Sequence, residues 1–133
     1  VDPLPHSEEI YWNVIDDHNG KRTRQTLLNH WTQELAQILF VTGTSKQILH
    51  RLGIGRIHFA FLDAQHTKKE VMREHHYVQA RQIPGDMIFF DDVTPGRYDG
   101  VVAAIDEVEA GGAYSVTRYL GDDDRGYAVA VRV

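Results

Sequence analysis

Two short apolar runs constrain this chain more than any other feature. Ile57-His58-Phe59-Ala60-Phe61-Leu62 runs into Asp63, and Met87-Ile88-Phe89-Phe90 runs into Asp91-Asp92. Continuous apolar runs of this length suit strands of a parallel sheet, buried on both faces. Between them, Thr67 to Gln82 is charged, free of Gly and Pro, and long enough to be a crossover helix. A strand–helix–strand unit of this kind is right-handed and its strands are parallel. Both strands then end at one edge of the sheet, which brings Asp63, Asp91 and Asp92 together with His66 one turn beyond Asp63. In open α/β sheets the carboxyl edge is where ligands bind.

The rest of the chain repeats the alternation. Val1 to Ser7, with Pro3 and Pro5, reads as an extended lead-in, and Glu8 to Ile15 as a strand ending at Asp16-Asp17. Thr23 can cap a helix whose apolar positions Leu27, Leu28, Trp31 and Leu35 follow helical spacing. Ile38 to Thr42 is a strand candidate closed by Gly43-Thr44-Ser45, and Lys46 to Leu52 a short helix stopped by Gly53. After the central unit, Pro95-Gly96 make a turn. Tyr98, Val101, Val102, Ile105 and Val108 then mark an amphipathic helix stopped at Gly111-Gly112. Strands at about Tyr114 to Leu120 and Tyr127 to Val133, joined by the polar loop Gly121–Gly126, predict an antiparallel hairpin. The fold class is α/β: a Rossmann-like, doubly wound, mostly parallel sheet with a C-terminal antiparallel hairpin.

Composition narrows the function classes. A chain of 133 residues suggests one domain with a real core. A net charge of −5 argues against a general nucleic-acid binder, which would present a basic face. No apolar run approaches the roughly 20 residues that span a bilayer, and no signal peptide is visible. The chain lacks cysteine, which removes disulfides, thiolate metal sites and thiol nucleophiles and fits a cytoplasmic protein. The partners expected are a small-molecule substrate, no nucleic acid and no membrane, with homo-oligomer formation left open.

The local wording resembles a known family. Phe61-Leu62-Asp63-Ala64-Gln65-His66 is similar to the "IDGxH" strand ending of class I S-adenosylmethionine-dependent methyltransferases in the macrocin O-methyltransferase and cephalosporin-hydroxylase-like group. Pro84 to Asp92 resembles that group's "pGGxxxxDD" stretch, and Val41 to Ser45 its "xxGxS" strand ending. Ala64 stands where the group usually has Gly, and Thr44 where an acid often contacts the adenine. In that fold a first strand and a glycine-rich loop precede the strand seen here at Glu8, so the resemblance predicts that the N-terminal strand is missing from this sequence. The strands ending at Asp16 and Asp63 are expected to flank its place.

The resemblance also implies roles. Asp63, Asp91 and Asp92 would hold a divalent cation, Mg²⁺ or similar, that grips a substrate diol. Carboxylates with positions left for water suit such an ion. The alternative is that these acids cap helices or face solvent. The unperturbed pKa of a histidine suits a general base, and the family assigns that role to the position of His66, whereas a loop or capping histidine is the plain alternative. Asp16 can accept the ribose hydroxyls of S-adenosylmethionine, with Asp17 as fallback. Gly43, Thr44 and Ser45 would pack beside the adenine, and Asp63 would border the cofactor. Gly43, Thr44 and Ser45 otherwise make an ordinary turn. His75 and His76, beside Lys68, Lys69, Arg73 and Glu74, read as a solvated helix face. Three functions compete: a metal-assisted O-methyltransferase for a small hydroxylated molecule, a non-catalytic cofactor-binding domain or part of a larger enzyme, and a flavodoxin-like nucleotide binder. The terminal hairpin disfavours the last.

Overall fold

In the computed structural model the described residues are 39, 41, 43–63, 65–121 and 125–133. Readings that fall on Glu8–Ile15, Asp16, Asp17, the Leu27–Leu35 helix and most of Ile38–Thr42 lie outside them, as does the expected gap between the strands ending at Asp16 and Asp63. One compact unit, Ser45–Val133, holds the elements that follow.

A short helix α1 (Ser45–Ile48) continues as a 3-10 turn over Leu49–Arg51. Strand β1 (Phe59–Leu62) leads to helix α2 (Lys68–Gln79), and strand β2 (Met87–Phe90) to helix α3 (Asp99–Ala110). Strands β3 (Tyr114–Leu120) and β4 (Gly126–Arg132) close the chain. Helix α2 starts where its first orphan amide finds a side-chain acceptor: the Thr67 hydroxyl accepts from the Glu70 N–H, the usual division of labour at a helix start.

The four strands form one sheet in the order β1-β2-β4-β3. β1 and β2 are parallel, as the apolar runs predict, with Phe59 opposite Met87 and Leu62 opposite Phe90. β4 runs antiparallel to both β2 and β3. The last strand therefore inserts between β2 and the hairpin's first strand, which becomes the edge.

Strand periodicity sorts the sheet into two unlike faces. Ile88, Phe90, Ala128 and Ala130 are fully or almost fully buried on the face that α2 and α3 cover, against Val71, Val78, Val101, Ala104, Ile105 and Val108. The other face carries Phe59, Phe61 and Met87, with Phe59 and Phe61 56% and 55% exposed. Burial on both faces, expected for β1 and β2, is thus seen on one face among the described residues.

Two other expectations need correction. Glu74 and His75 do not belong to a solvated face: they are 6% and 3% exposed. A step of 100° per residue places positions 71, 72, 74, 75 and 78 on one side of α2, and that side packs on the sheet. His76, one position on, is exposed as expected.

Candidate active site

The carboxyl ends of β1 and β2 fix where the acids go. Ladder hydrogen bonding carries on past the strands, with the Asp91 N–H donating to the Leu62 carbonyl at 3.1 Å. The chain then turns sharply. Asp92 has φ of +58°, a left-handed conformation that costs energy for any residue with a side chain and that collects at functional sites. Its amide donates to Asp91 Oδ1 at 2.8 Å, and its carbonyl accepts from the Thr94 N–H. Beyond it the loop is locked to β4: the Val93 N–H donates to the Gly126 carbonyl, and the Gly126 N–H donates to Thr94 Oγ1, both at 2.8 Å. Gly126 permits this approach, because a Cβ there would stand 1.9 Å from the Val93 oxygen.

His66 is held from several sides. Its Nε2 lies 2.9 Å from Asp92 Oδ2, and its ring packs at a tilt of 32° against Tyr98, with centroids 4.2 Å apart. The start of α3 presses against its backbone: a Cβ at Gly100 would come within 2.3 Å of the His66 carbonyl oxygen. In the sequence Tyr98 reads only as a helix position and Gly126 only as a loop end, and Gly100 carries no signal at all.

The three acids have different surroundings. Asp91 is buried, and Arg125 Nη2 donates to both its carboxylate oxygens, at 3.2 and 3.0 Å. The same nitrogen lies 3.5 Å from Asp92 Oδ1. Asp63 is exposed, yet its carboxyl is pushed above the ordinary range, first by partial burial and then by the charges of Asp91 and Asp92. The side chains that converge are Asp63, His66 and Asp92, each offering one ligand atom with all three atoms within 4.8 Å of one another. Asp91, expected in a set with Asp63 and Asp92, stands beside this group engaged by Arg125. His66, expected only as a base, stands inside it.

This arrangement settles one alternative. The N-cap of α2 is Thr67 and that of α3 is Tyr98, so none of the three acids caps a described helix. The convergent group suits a divalent cation, because ligands about 2.0–2.6 Å from one ion lie up to roughly 5 Å apart. The carboxylates of Asp63 and Asp92 are the donor type that Mg²⁺ and Mn²⁺ take, with the His66 imidazole beside them. Burial raises the Asp63 carboxyl first, the charges of Asp91 and Asp92 add to it, and a cation would offset the second of these.

Of the residues expected beside the adenine, Gly43 has φ of +145°, a conformation that side-chain-bearing residues rarely adopt. Thr44 is exposed. Ser45 is buried at the start of α1, where it counters the upward push that burial gives the Glu74 carboxyl. Asp16 and Asp17 lie outside the described residues.

No protein-family model matches the chain, and no curated protein matches it. Solved structures do. A structure assigned as an O-methyltransferase from Klebsiella pneumoniae aligns over 88% of this chain and 58% of its own, at 21% identity and a TM-score of 0.62. The O-methyltransferase TomG from Streptomyces achromogenes, involved in tomaymycin synthesis and solved with S-adenosylmethionine, aligns over 82% and 56%, at 16% identity and a TM-score of 0.64. An O-methyltransferase from Bacillus cereus, solved with S-adenosylhomocysteine, aligns over 69% and 49%, at 20% identity and a TM-score of 0.54. The chain thus spans about half the length of these proteins. With the sheet order, the parallel β1–β2 unit and the inserted last strand, the likeness gives the conclusion: this chain has the α/β fold of class I S-adenosylmethionine-dependent O-methyltransferases.

Proposed function

We propose that this chain is the catalytic part of an S-adenosylmethionine-dependent, divalent-metal-assisted O-methyltransferase acting on a small hydroxylated molecule. The observation that carries the reading is the convergence of Asp63, His66 and Asp92 at the carboxyl edge of two parallel strands in a methyltransferase fold. Asp63 and Asp92 would hold the cation beside His66, with Asp91 adding negative charge through its position next to them. A cation there supplies a lowered pKa for the substrate hydroxyl. S-adenosylmethionine supplies an activated methyl group on a sulfonium sulfur.

The chain's own residues then divide the work. The neutral imidazole that donates its Nε2 proton to Asp92 Oδ2 keeps its lone pair on Nδ1. With S-adenosylmethionine bound, that nitrogen would take the proton of the substrate hydroxyl as its oxygen accepts the methyl group, S-adenosylhomocysteine being the leaving group. Asp92 fixes the tautomer and stabilises the imidazolium that results, as a carboxylate beside a catalytic histidine does. Tyr98 packs against the ring and would limit its swing. Asp16, or Asp17, would accept the ribose hydroxyls, with Gly43 and Thr44 beside the adenine.

The test is calorimetry of the full chain with S-adenosylmethionine, with and without Mg²⁺, followed by methyl transfer to a panel of vicinal diols. His66→Ala should abolish transfer while leaving cofactor affinity intact. Asp16→Ala should weaken the cofactor by roughly 1–3 kcal/mol, the cost of unpaired hydroxyls. Cofactor binding with no transfer to any hydroxylated acceptor would favour a non-catalytic cofactor-binding domain instead.

A further inference from the structure

Helix α2 carries a carboxyl on its buried face, directly behind the candidate site. Glu74 is 6% exposed. Ser45 lowers the pKa of the carboxyl, yet Glu74 Oε1 has no hydrogen-bond partner among the described residues. Native proteins satisfy such buried oxygens with protein or with ordered water.

The space beside Glu74 offers the means. A small, mostly enclosed cavity of about 10 Å³ is bordered by Glu74, Asp63, His66 and Asp91, with Phe90 and Val101 in its apolar wall. That volume accommodates about one water molecule, and a buried water is stable when it has two to four polar partners. Here the polar groups come from three separate segments: α2, the turn after β1, and the end of β2. Burial pushes the Glu74 carboxyl above its ordinary range, toward the form that can donate to such a water.

We propose that this cavity is a one-water site, and that Glu74, through that water, is a positioning residue for the Asp63–His66 turn. Glu74 and the acids of the site border the same small volume, so a shared water ties the crossover helix to the residues after β1. The inference rests on reading that turn as part of the site, but its test needs no methyl transfer.

The test uses the full chain. A high-resolution crystal structure of the wild type should show one water within hydrogen-bond distance of Glu74 Oε1 and of Asp63 or Asp91. Two variants separate hydrogen bonding from packing: Glu74→Gln keeps polar atoms, and Glu74→Met fills similar space without them. The readouts are the His66 ring-proton resonances, identified by their loss in His66→Ala, and the affinity for Mn²⁺. The glutamine variant should keep both near wild type. The methionine variant should shift or broaden the His66 signals and weaken Mn²⁺ by about 10-fold, as loss of a supporting group does. A methionine variant with unchanged His66 signals, or a wild-type cavity without an ordered water, overturns the proposal. If the methionine variant does not fold, the wild-type cavity decides. Wild-type protein that ignores Mn²⁺ counts against the metal-assisted mechanism, while the ring signals still decide this one.

Discussion

The two ends of the β1–β2 pair are built from the same residue types and behave in opposite ways. At the amino end, Asp86 is buried and saturated: Arg56 donates to it twice, at 3.0 and 2.7 Å, and the Ile83 amide adds a third bond at 2.8 Å. These partners, Arg56 foremost, hold its carboxyl down at about 2. Neighbouring polar groups are equally settled, with Tyr77 donating to the Leu52 carbonyl and Gln82 to the Met87 carbonyl. At the carboxyl end, Asp63 moves the other way, upward, under partial burial and the charges of Asp91 and Asp92. One arginine, Arg125, lies beside Asp91 and Asp92, and the backbone at Asp92 is left-handed. A structural carboxylate has its hydrogen-bond capacity filled by the fold. A site carboxylate is held in place by the fold with part of its charge uncompensated, and that remainder is what a cation can use.

The contrast can be broken from behind. Gly126→Ala should have the largest effect, because its methyl would overlap the Val93 backbone next to Asp92 and no side chain can yield. We expect about 3 kcal/mol of lost stability, seen as a lower midpoint in chemical denaturation. Gly100→Ala should cost somewhat less, about 1–3 kcal/mol, and should displace the His66 turn while the Arg56–Asp86 pair at the other end stays intact. Amide chemical shifts that change equally at both ends would contradict this division.

His75 sharpens the comparison from the core between the two ends. Its ring packs against Tyr114 and Phe90, and neither nitrogen has a partner among the described residues. Burial, then the charges of His76 and Arg132, lower its pKa to about 4, with Glu107 opposing. The unfolded chain, with an ordinary histidine near 6.5, binds more protons between those values, so stability must rise with pH there. The contribution is intact above about 6.5 and is lost as the pH falls toward about 4. His75→Phe should raise stability by about 1 kcal/mol at neutral pH and flatten this slope. An unchanged slope would place the acid sensitivity elsewhere.

The smallest effect probes Arg125. Asp63 is lowered by its charge and raised by the acids. Arg125→Gln should therefore raise the Asp63 carboxyl further and, by exposing Asp91 to the cluster, tighten Mn²⁺ by about fivefold, corresponding to roughly 1 kcal/mol for a partly exposed pair. Weaker binding would mean that Arg125 organises the site more than it competes with a cation.

Much of this architecture is legible in the residues. The apolar runs ending at Asp63 and Asp91-Asp92 give the parallel unit and the edge where acids collect, and the hairpin lies where turn chemistry puts it. What is not legible depends on contacts distant in sequence. Arg125 reaches Asp91 from 34 positions away, and no local pattern announces it. Glu74 and His75 read as solvated because polar residues usually are, and only tertiary packing puts them on the core face. Gly100 and Gly126 look like ordinary helix and loop glycines until the neighbouring backbone arrives. The insertion of β4 between β2 and β3 is a choice between strand partners that periodicity alone does not make.

The central proposal is that Asp63 and Asp92, at the carboxyl edge, take a divalent cation beside His66. Calorimetric titration of the full chain with Mn²⁺, repeated on Asp63→Asn and Asp92→Asn, tests it most directly. The account predicts one ion per chain for the wild type and at least about a 10-fold loss of affinity in each variant, with folding preserved. A wild type that binds no Mn²⁺, or variants that bind it as tightly as the wild type, would contradict it.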